Sequence, residues 1–243
     1  MKQEEDFKIS LIIPAHNEEK YIDSCLEHAL KNSNGKFFEI IVIDNASTDR
    51  TSEIAKKYPG VKVFYEKNKG LTYARQRGFL ESKGEILAYI DADTHMPKGH
   101  YERIEKEFRK NPNLASLSGP HKYYDVKKSQ EIVNKIYWRI FAFPVYVILR
   151  YMTAGVNFAI RRDVLEKING FDTSISFYGE DTNIARRAHK HGKVKFSLSF
   201  SMPTSGRRLV KKGFIKIGFI YMINGLSEYI LHKPVTKKYT DIR

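Results

Sequence analysis

Short apolar runs and amphipathic stretches alternate along the first ninety residues. Residues 8–14, 39–44, 61–65 and 85–91 are rich in Ile, Leu and Val and are bounded by polar or turn residues, which predicts buried strands. Between them, residues 19–31 place Tyr21, Ile22, Cys25, Leu26 and Ala29 on one face, the 3.6-residue period of an amphipathic helix. Residues 51–58 read as a shorter helix, capped near Ser47 or Asp49 and ended by Pro59-Gly60. Residues 72–82 read as a third helix, stopped at Gly84. Buried strands alternating with helices predict an α/β fold with a mostly parallel sheet covered on both faces. Such sheets bind ligands at the carboxyl ends of their strands, where Pro14, Asp44 and Asp91 fall.

The second half is less regular. Residues 97–110 predict a charged helix, 114–121 a strand, and 129–150 a long amphipathic or broken helix rich in aromatics. Strands are expected at 157–160 and 193–200, with a helix at 179–190 between them. From Arg207 onward the chain is basic and apolar by turns. No low-complexity linker or internal repeat interrupts it. One domain over residues 1–243 is the simplest organisation, with two lobes and a basic C-terminal segment from 204.

Composition narrows this picture. A chain of 243 residues buries an ample core. The single cysteine, Cys25, excludes an internal disulfide and fits a reducing compartment. The net charge of +14 attracts nucleic acid, anionic lipid or phosphorylated substrates. No nucleic-acid-binding module is present. The polar start is neither a signal peptide nor an anchor. The most apolar stretch, 136–149, reads as too short to span a membrane and is interrupted by Arg139 and Pro144. The expectation is a cytoplasmic protein able to lie on the inner face of the membrane. Leu209, Phe214, Ile215, Ile217, Phe219, Ile220, Met222 and Ile223 among Lys211, Lys212 and Lys216 fit an interfacial helix or ordinary core packing. The aromatic stretch of Tyr137, Trp138, Phe141, Phe143 and Tyr146 fits the same two readings.

Asp91-Ala92-Asp93 carries the most chemistry. Two carboxylates one residue apart at a strand end can hold a hard divalent cation between protein and phosphate. His95, two residues on, is either an imidazole ligand or a loop histidine. At the end of another strand, Asp44 is placed to accept the imide N–H of a uracil or thymine ring, or to brace its loop. Arg75 follows Gly70 on a helix, where its guanidinium can meet a phosphate or Asp91. In Gly179-Glu180-Asp181, a helix start favours an ionised carboxylate, the state a general base needs.

These segments, in order, resemble glycosyltransferase family 2, inverting enzymes of the nucleotide-sugar-binding GT-A fold. Ile12-Ile13-Pro14-Ala15-His16-Asn17-Glu18 is similar to the family's opening strand and loop, and Val42 through Asp49 to its second-strand motif. Gly70 with Ala74-Arg75-Gln76-Arg77-Gly78 resembles its glycine–arginine helix, and Asp91-Ala92-Asp93 its metal motif. Gly155 through Arg161 with Asn169-Gly170-Phe171-Asp172 resembles its acceptor segment, and Glu180-Asp181 its base motif.

The resemblance implies a nucleotide-sugar-binding half (1–95) made by Pro14, Ala15, Asn17, Glu18, Asp44, Asn45, Gly70, Arg75, Asp91, Ala92 and Asp93, with Asn17 and Glu18 chiefly shaping the first loop. Asp44 would hold the base, Asp93 would contact Mn²⁺ or Mg²⁺, and Asp91 would sit nearer the ribose or behind the metal. Asn45 and Ala46 replace the usual Asp and Gly, which leaves the base open; a UDP-sugar is the favoured donor. In the acceptor half (96–203), Asp181 would be the base and Glu180 would position the acceptor. Arg207 and Arg208 would close over the diphosphate as a lid, unless they are an ordinary basic loop.

The absence of a QxxRW motif disfavours processive cellulose- and chitin-type synthases. A base suits a hydroxyl acceptor on a glycan or lipid, whereas a polyprenyl phosphate is already ionised and needs little help. A nucleotidyltransferase would open with a Gly-rich basic loop and a dinucleotide enzyme with GxGxxG; Ala15-His16-Asn17-Glu18 is neither. A polyanion- or glycan-binding protein without activity is the remaining class.

Overall fold

The computed structural model describes residues 7–175, 179–212 and Ser227. Its frame is a seven-stranded sheet. In chain order its strands are β1 (Ile9–Ala15), β2 (Glu39–Asp44), β3 (Val61–Tyr65), β4 (Ile86–Ile90), β5 (Leu114–Ser118), β7 (Asn157–Arg161) and β8 (Lys193–Phe196), arranged β3-β2-β1-β4-β7-β5-β8. The first four strands are parallel neighbours, and β5 pairs parallel with β8. Only β7 runs antiparallel, to both β4 and β5. The expected mostly parallel sheet is therefore present, with one reversed strand between β4 and β5.

Every residue of β1, β2 and β4 is buried. The two-residue period of a strand divides them between two cores. Ile9, Leu11 and Ile13 of β1 pack with Ile22, Cys25, Leu26 and Ala29 of helix α1 (Ile22–Ser33). Ile12 faces the other side, with Ile41, Ile43, Leu87 and Tyr89 and with Ala74 and Phe79 of α3 (Leu71–Glu81). Gly78 lets α3 lie close on the sheet, because a Cβ there would overlap the Ile12 side chain. Helices α2 (Thr51–Lys56) and α4 (His100–Lys110) complete the expected first set.

The second half departs from expectation in three places and keeps the long helix in one of its two expected forms. The strand expected at 114–121 divides at Gly119-Pro120. Its second part, β6 (His121–Tyr123), leaves the main sheet and pairs with β9 (Met202–Thr204), a strand the apolar pattern did not indicate. The strand expected at 193–200 ends at Phe196. A short helix, α7 (Arg162–Lys167), follows β7 directly. The helix expected at 129–150 is continuous: α5 (Lys128–Ile136), a π-helical segment (Tyr137–Ala142), then α6 (Phe143–Leu149).

Pro144 lies just after the π segment, in which the Phe143 N–H reaches back to the Trp138 carbonyl. The wider turn absorbs the missing donor and ring clash that proline brings to a helix interior. The run 136–149 was expected to be too short to span a membrane. Extended back to Lys128, the helix has 22 residues and is long and apolar enough to do so by length and composition alone. Helix α8 (Glu180–His189) lies near the expected bounds, and α9 (Arg207–Lys212) ends the contiguous description. The segment expected past Arg208 as an interfacial helix or core packing begins in α9, and its part beyond 212 lies outside the described residues.

Candidate functional site

The carboxyl ends of β1, β2 and β4 meet at one edge of the sheet, and their loops are tied to each other. Asn17, at φ 51°, accepts the Thr48 N–H at 2.8 Å and offers its own N–H to Ser47 Oγ at 3.0 Å. The Glu18 N–H donates to Thr51 Oγ1 at 2.7 Å. His16 Nδ1 pairs with the Asn45 carbonyl at 2.7 Å. Pro14 and Ala15 end β1 in a fully buried run.

Asp44 is buried at the end of β2, and its Oδ1 accepts the Ser47 N–H at 3.1 Å. Asn45 uses its side chain on the backbone. It donates to the carbonyls of Asn68 (2.7 Å) and Glu66 (3.2 Å) and accepts the Gly70 N–H at 2.8 Å. Its amide thereby sets the loop that leads into α3.

Arg75 projects from α3 and is 1% exposed. Its guanidinium pairs with Glu180 at the start of α8, lies 3.6 Å from Asp91 Oδ1 and donates to the Gly155 carbonyl at 2.6 Å. It also lies over the Phe158 ring, 5.3 Å from its centroid. Burial alone would lower its pKa, but Glu180 and then Asp91 outweigh that and raise it. The cation thus joins strand β4 to helix α8. Gly155 makes room for the join: a Cβ there would stand 2.8 Å from Glu180 Oε1 and 3.0 Å from Arg75 Nη2.

Burial pushes Glu180 up to about 7 despite Arg75. Asp181, partly exposed, is also raised, first by burial and against the backbone N–H groups of Thr182 and Gly155. The sequence argument expected the helix start to favour the ionised form; desolvation opposes it here.

Asp93 faces a different cation. Arg207 Nη2 lies 2.9 Å from Asp93 Oδ2 and 2.6 Å from Glu18 Oε1, with its guanidinium 4.4 Å from the Tyr21 ring centroid. Thr204 Oγ1 donates to Asp93 Oδ1 at 3.1 Å. Two features missed in the sequence make this arrangement. The β6–β9 pair supplies Thr204, and Asp125, just after β6, accepts the Ser205 hydroxyl and the Gly206 N–H at 2.6 Å. Arg208 follows on the same helix, partly buried. The polar run Thr204-Ser205-Gly206 was the only sequence signal for this contact.

His95 sits between the rings of His28 (4.2 Å) and Tyr124 (4.0 Å) and pairs with Ser24 Oγ at 3.0 Å. Among the described residues no three His, Cys, Asp or Glu side chains gather as a metal cluster. The oxygen donors of Asp91 and Asp93 nevertheless fit Mg²⁺ or Mn²⁺, which are commonly held by one or two carboxylates and completed by substrate phosphate. The cleft's demand for positive charge is visible in Arg207, which bridges two carboxylates at that place.

Sheet order and acidic cleft define the class: an α/β fold of GT-A type. The profile of glycosyl transferase family 2 matches residues 10–169, and the chain belongs to that family. It is 28% identical over 207 residues to the probable glycosyltransferase YdaM of Bacillus subtilis, covering 76% of this chain and 47% of that protein. It is 33% identical over 115 residues to the dolichol-phosphate mannosyltransferase of Pyrococcus furiosus, 44% of this chain and 32% of that one. The chain thus spans less than half the length of these relatives.

Among solved structures, it resembles the Pyrobaculum calidifontis mannosyltransferase PcManGT in complex with GDP-Man and Mn²⁺. The TM-score is 0.71 at 20% identity, over 94% of this chain and 64% of the other. Glucosyl-3-phosphoglycerate synthase of Mycobacterium tuberculosis, with Mn²⁺, UDP and phosphoglyceric acid, aligns at TM-score 0.63 and 17% identity, over 93% and 78%. At these identities the likeness is one of fold.

Proposed function

We propose that the protein is an inverting glycosyltransferase that moves a sugar from a nucleoside diphosphate sugar to a hydroxyl acceptor. The observation that carries this reading is the union of two carboxylate pairs through one buried guanidinium: Asp91-Ala92-Asp93 at the end of β4 and Glu180-Asp181 at the start of α8, joined by Arg75.

In this reading Asp44 receives the base. Its carboxylate suits the imide N–H of uracil, the favoured base, and equally the ring N–H of guanine. The fold neighbours were solved with UDP or GDP-Man. Asp93, with Asp91 behind it, would hold Mn²⁺ or Mg²⁺. When bound, the cation supplies charge neutralisation for the leaving diphosphate. Arg207 leaves Asp93 and turns toward the phosphates, with Arg208 beside it. Arg75 fixes Asp91 and the start of α8 relative to each other. Asp181 accepts the proton of the acceptor hydroxyl. Glu180, locked on Arg75, orients the helix that carries Asp181 rather than meeting the acceptor. A single displacement by the hydroxyl inverts the anomeric carbon.

A polyprenyl phosphate acceptor is the second reading, supported by the likeness to the dolichol-phosphate enzyme. Such an ionised nucleophile would not need Asp181.

Calorimetry with UDP and GDP tests the donor side. Mn²⁺ or Mg²⁺ should tighten binding of one of them, and Asp93→Ala should remove most of that gain. Equal affinity in excess chelator would defeat the metal-assisted reading.

A further inference from the structure

The helix from Lys128 to Leu149 has two apolar faces, and among the described residues only the inner one makes ring contacts with the rest of the protein. On the inner face, Trp138 stacks on Phe196 (5.4 Å) and meets His121 edge-on (5.1 Å), while Tyr146 lies 5.9 Å from Phe196. Ala142 and Asn134 are buried on the same side. On the outer face, Val133, Ile136, Ile140, Phe141, Val145 and Ile148 recur at helical spacing, and all are exposed. Ile140 is 62%, Phe141 63% and Ile148 77% exposed. A soluble surface scatters such side chains singly; a continuous stripe marks a contact.

Charge identifies the partner. Lys127, Lys128, Lys135, Arg139 and Arg150 flank or interrupt the stripe, all exposed, and Glu131 is the only acid between them. Glu131 is spent inside the protein, accepting the Tyr123 N–H and the Asn134 amide. At the C-terminal end of the helix, Arg150, Lys190, His191 and Lys193 line an open cleft beside Tyr146. An apolar stripe with a basic rim, ending at a basic cleft, is complementary to a surface with acyl chains below and phosphates above.

The same helix borders α8. The Tyr137 hydroxyl is raised by burial and by the charge of Asp181. Tyr146 and Arg150 at the helix's C-terminal end line one cleft with His189, the last residue of α8, so in the proposed reading, where α8 carries the base, the helix lies on the acceptor side.

We propose that the outer face of this helix seats the protein on an anionic lipid bilayer and presents the acceptor cleft to it. The donor-site reading enters only in naming the acceptor side. The consequence is an acceptor drawn from the membrane, a glycan or lipid headgroup at the surface.

Flotation of the full-length protein with vesicles of phosphatidylcholine alone, or mixed with phosphatidylglycerol, tests the proposal. The protein should float with the anionic vesicles at low salt and less so as salt rises. Ile140→Glu with Ile148→Glu should cut partitioning by about tenfold or more, since both apolar side chains would leave the lipid. Lys135→Glu with Arg139→Glu should abolish the preference for the anionic lipid. UDP binding and thermal unfolding, measured on the same samples without vesicles, report the donor site and the fold separately. Should the glutamate pair fail to fold, Ile140→Ser with Ile148→Ser replaces it. Three results would overturn the proposal: no flotation of the wild type, equal flotation of the isoleucine variants, or lipid-free self-association that those variants relieve.

Discussion

At the scale of single residues, the proposed chemistry rests on three side chains: Arg75, Glu180 and Asp181. Neighbouring carboxylates that share a buried cation titrate as a pair. Burial raises both, Glu180 to about 7. A base with a raised pKa is protonated at low pH and becomes competent as pH rises. The ascending limb of kcat/KM against pH should therefore lie above the ordinary carboxylate range. Asp181→Asn keeps the shape but cannot accept a proton. It should lower kcat/KM by roughly 100- to 10,000-fold while the Kd for the nucleoside diphosphate changes little. Near-wild-type turnover would favour the ionised phosphate acceptor instead. The places of Asp91 and Asp93 after a strand, of Arg75 on a helix and of Asp181 at a helix start were legible in the sequence, because short-range patterns set them. The partner of Glu18 was not. Arg207 lies 189 positions away, and no local pattern encodes that distance.

At the scale of elements, legibility followed apolar density. Strands β1, β2 and β4 are continuous runs of large aliphatic residues, and their boundaries were readable to within a residue or two. β6 and β9 have three residues each, with His, Lys, Tyr, Met, Pro and Thr, and only pairing with each other defines them. The division at Gly119 also follows from contact: a Cβ there would stand within 2.7 Å of the Ser197 carbonyl. Helix α3 lies close against β1 at Gly78. Gly78→Ala would push its methyl into Ile12, an overpacking change that should cost about 1–3 kcal/mol. Urea unfolding should show this as a lower midpoint with an unchanged slope.

Across the whole molecule, a net charge of +14 coexists with a cleft lined by carboxylates. The basic surface favours encounter with an anionic nucleotide, while the acids within define where a cation is wanted. Arg207 already meets that demand by resting between Glu18 and Asp93. Its pKa reflects the exchange: burial would lower it, and Asp93 and Glu18 raise it. Arg207 thus serves as a counter-ion tethered to the chain, and the expected consequence is folding that does not wait on a metal. Removing divalent cations should leave the melting temperature unchanged. Arg207→Ala, which leaves two close carboxylates unneutralised, should lower it, and added Mn²⁺ should restore part of the loss. Scanning fluorimetry with chelator, with Mn²⁺ and with neither would reveal the difference. If the proposed metal-assisted reaction holds, a polypeptide of this design could be made and held in reserve where metal is scarce, and would become metal-dependent only when it works.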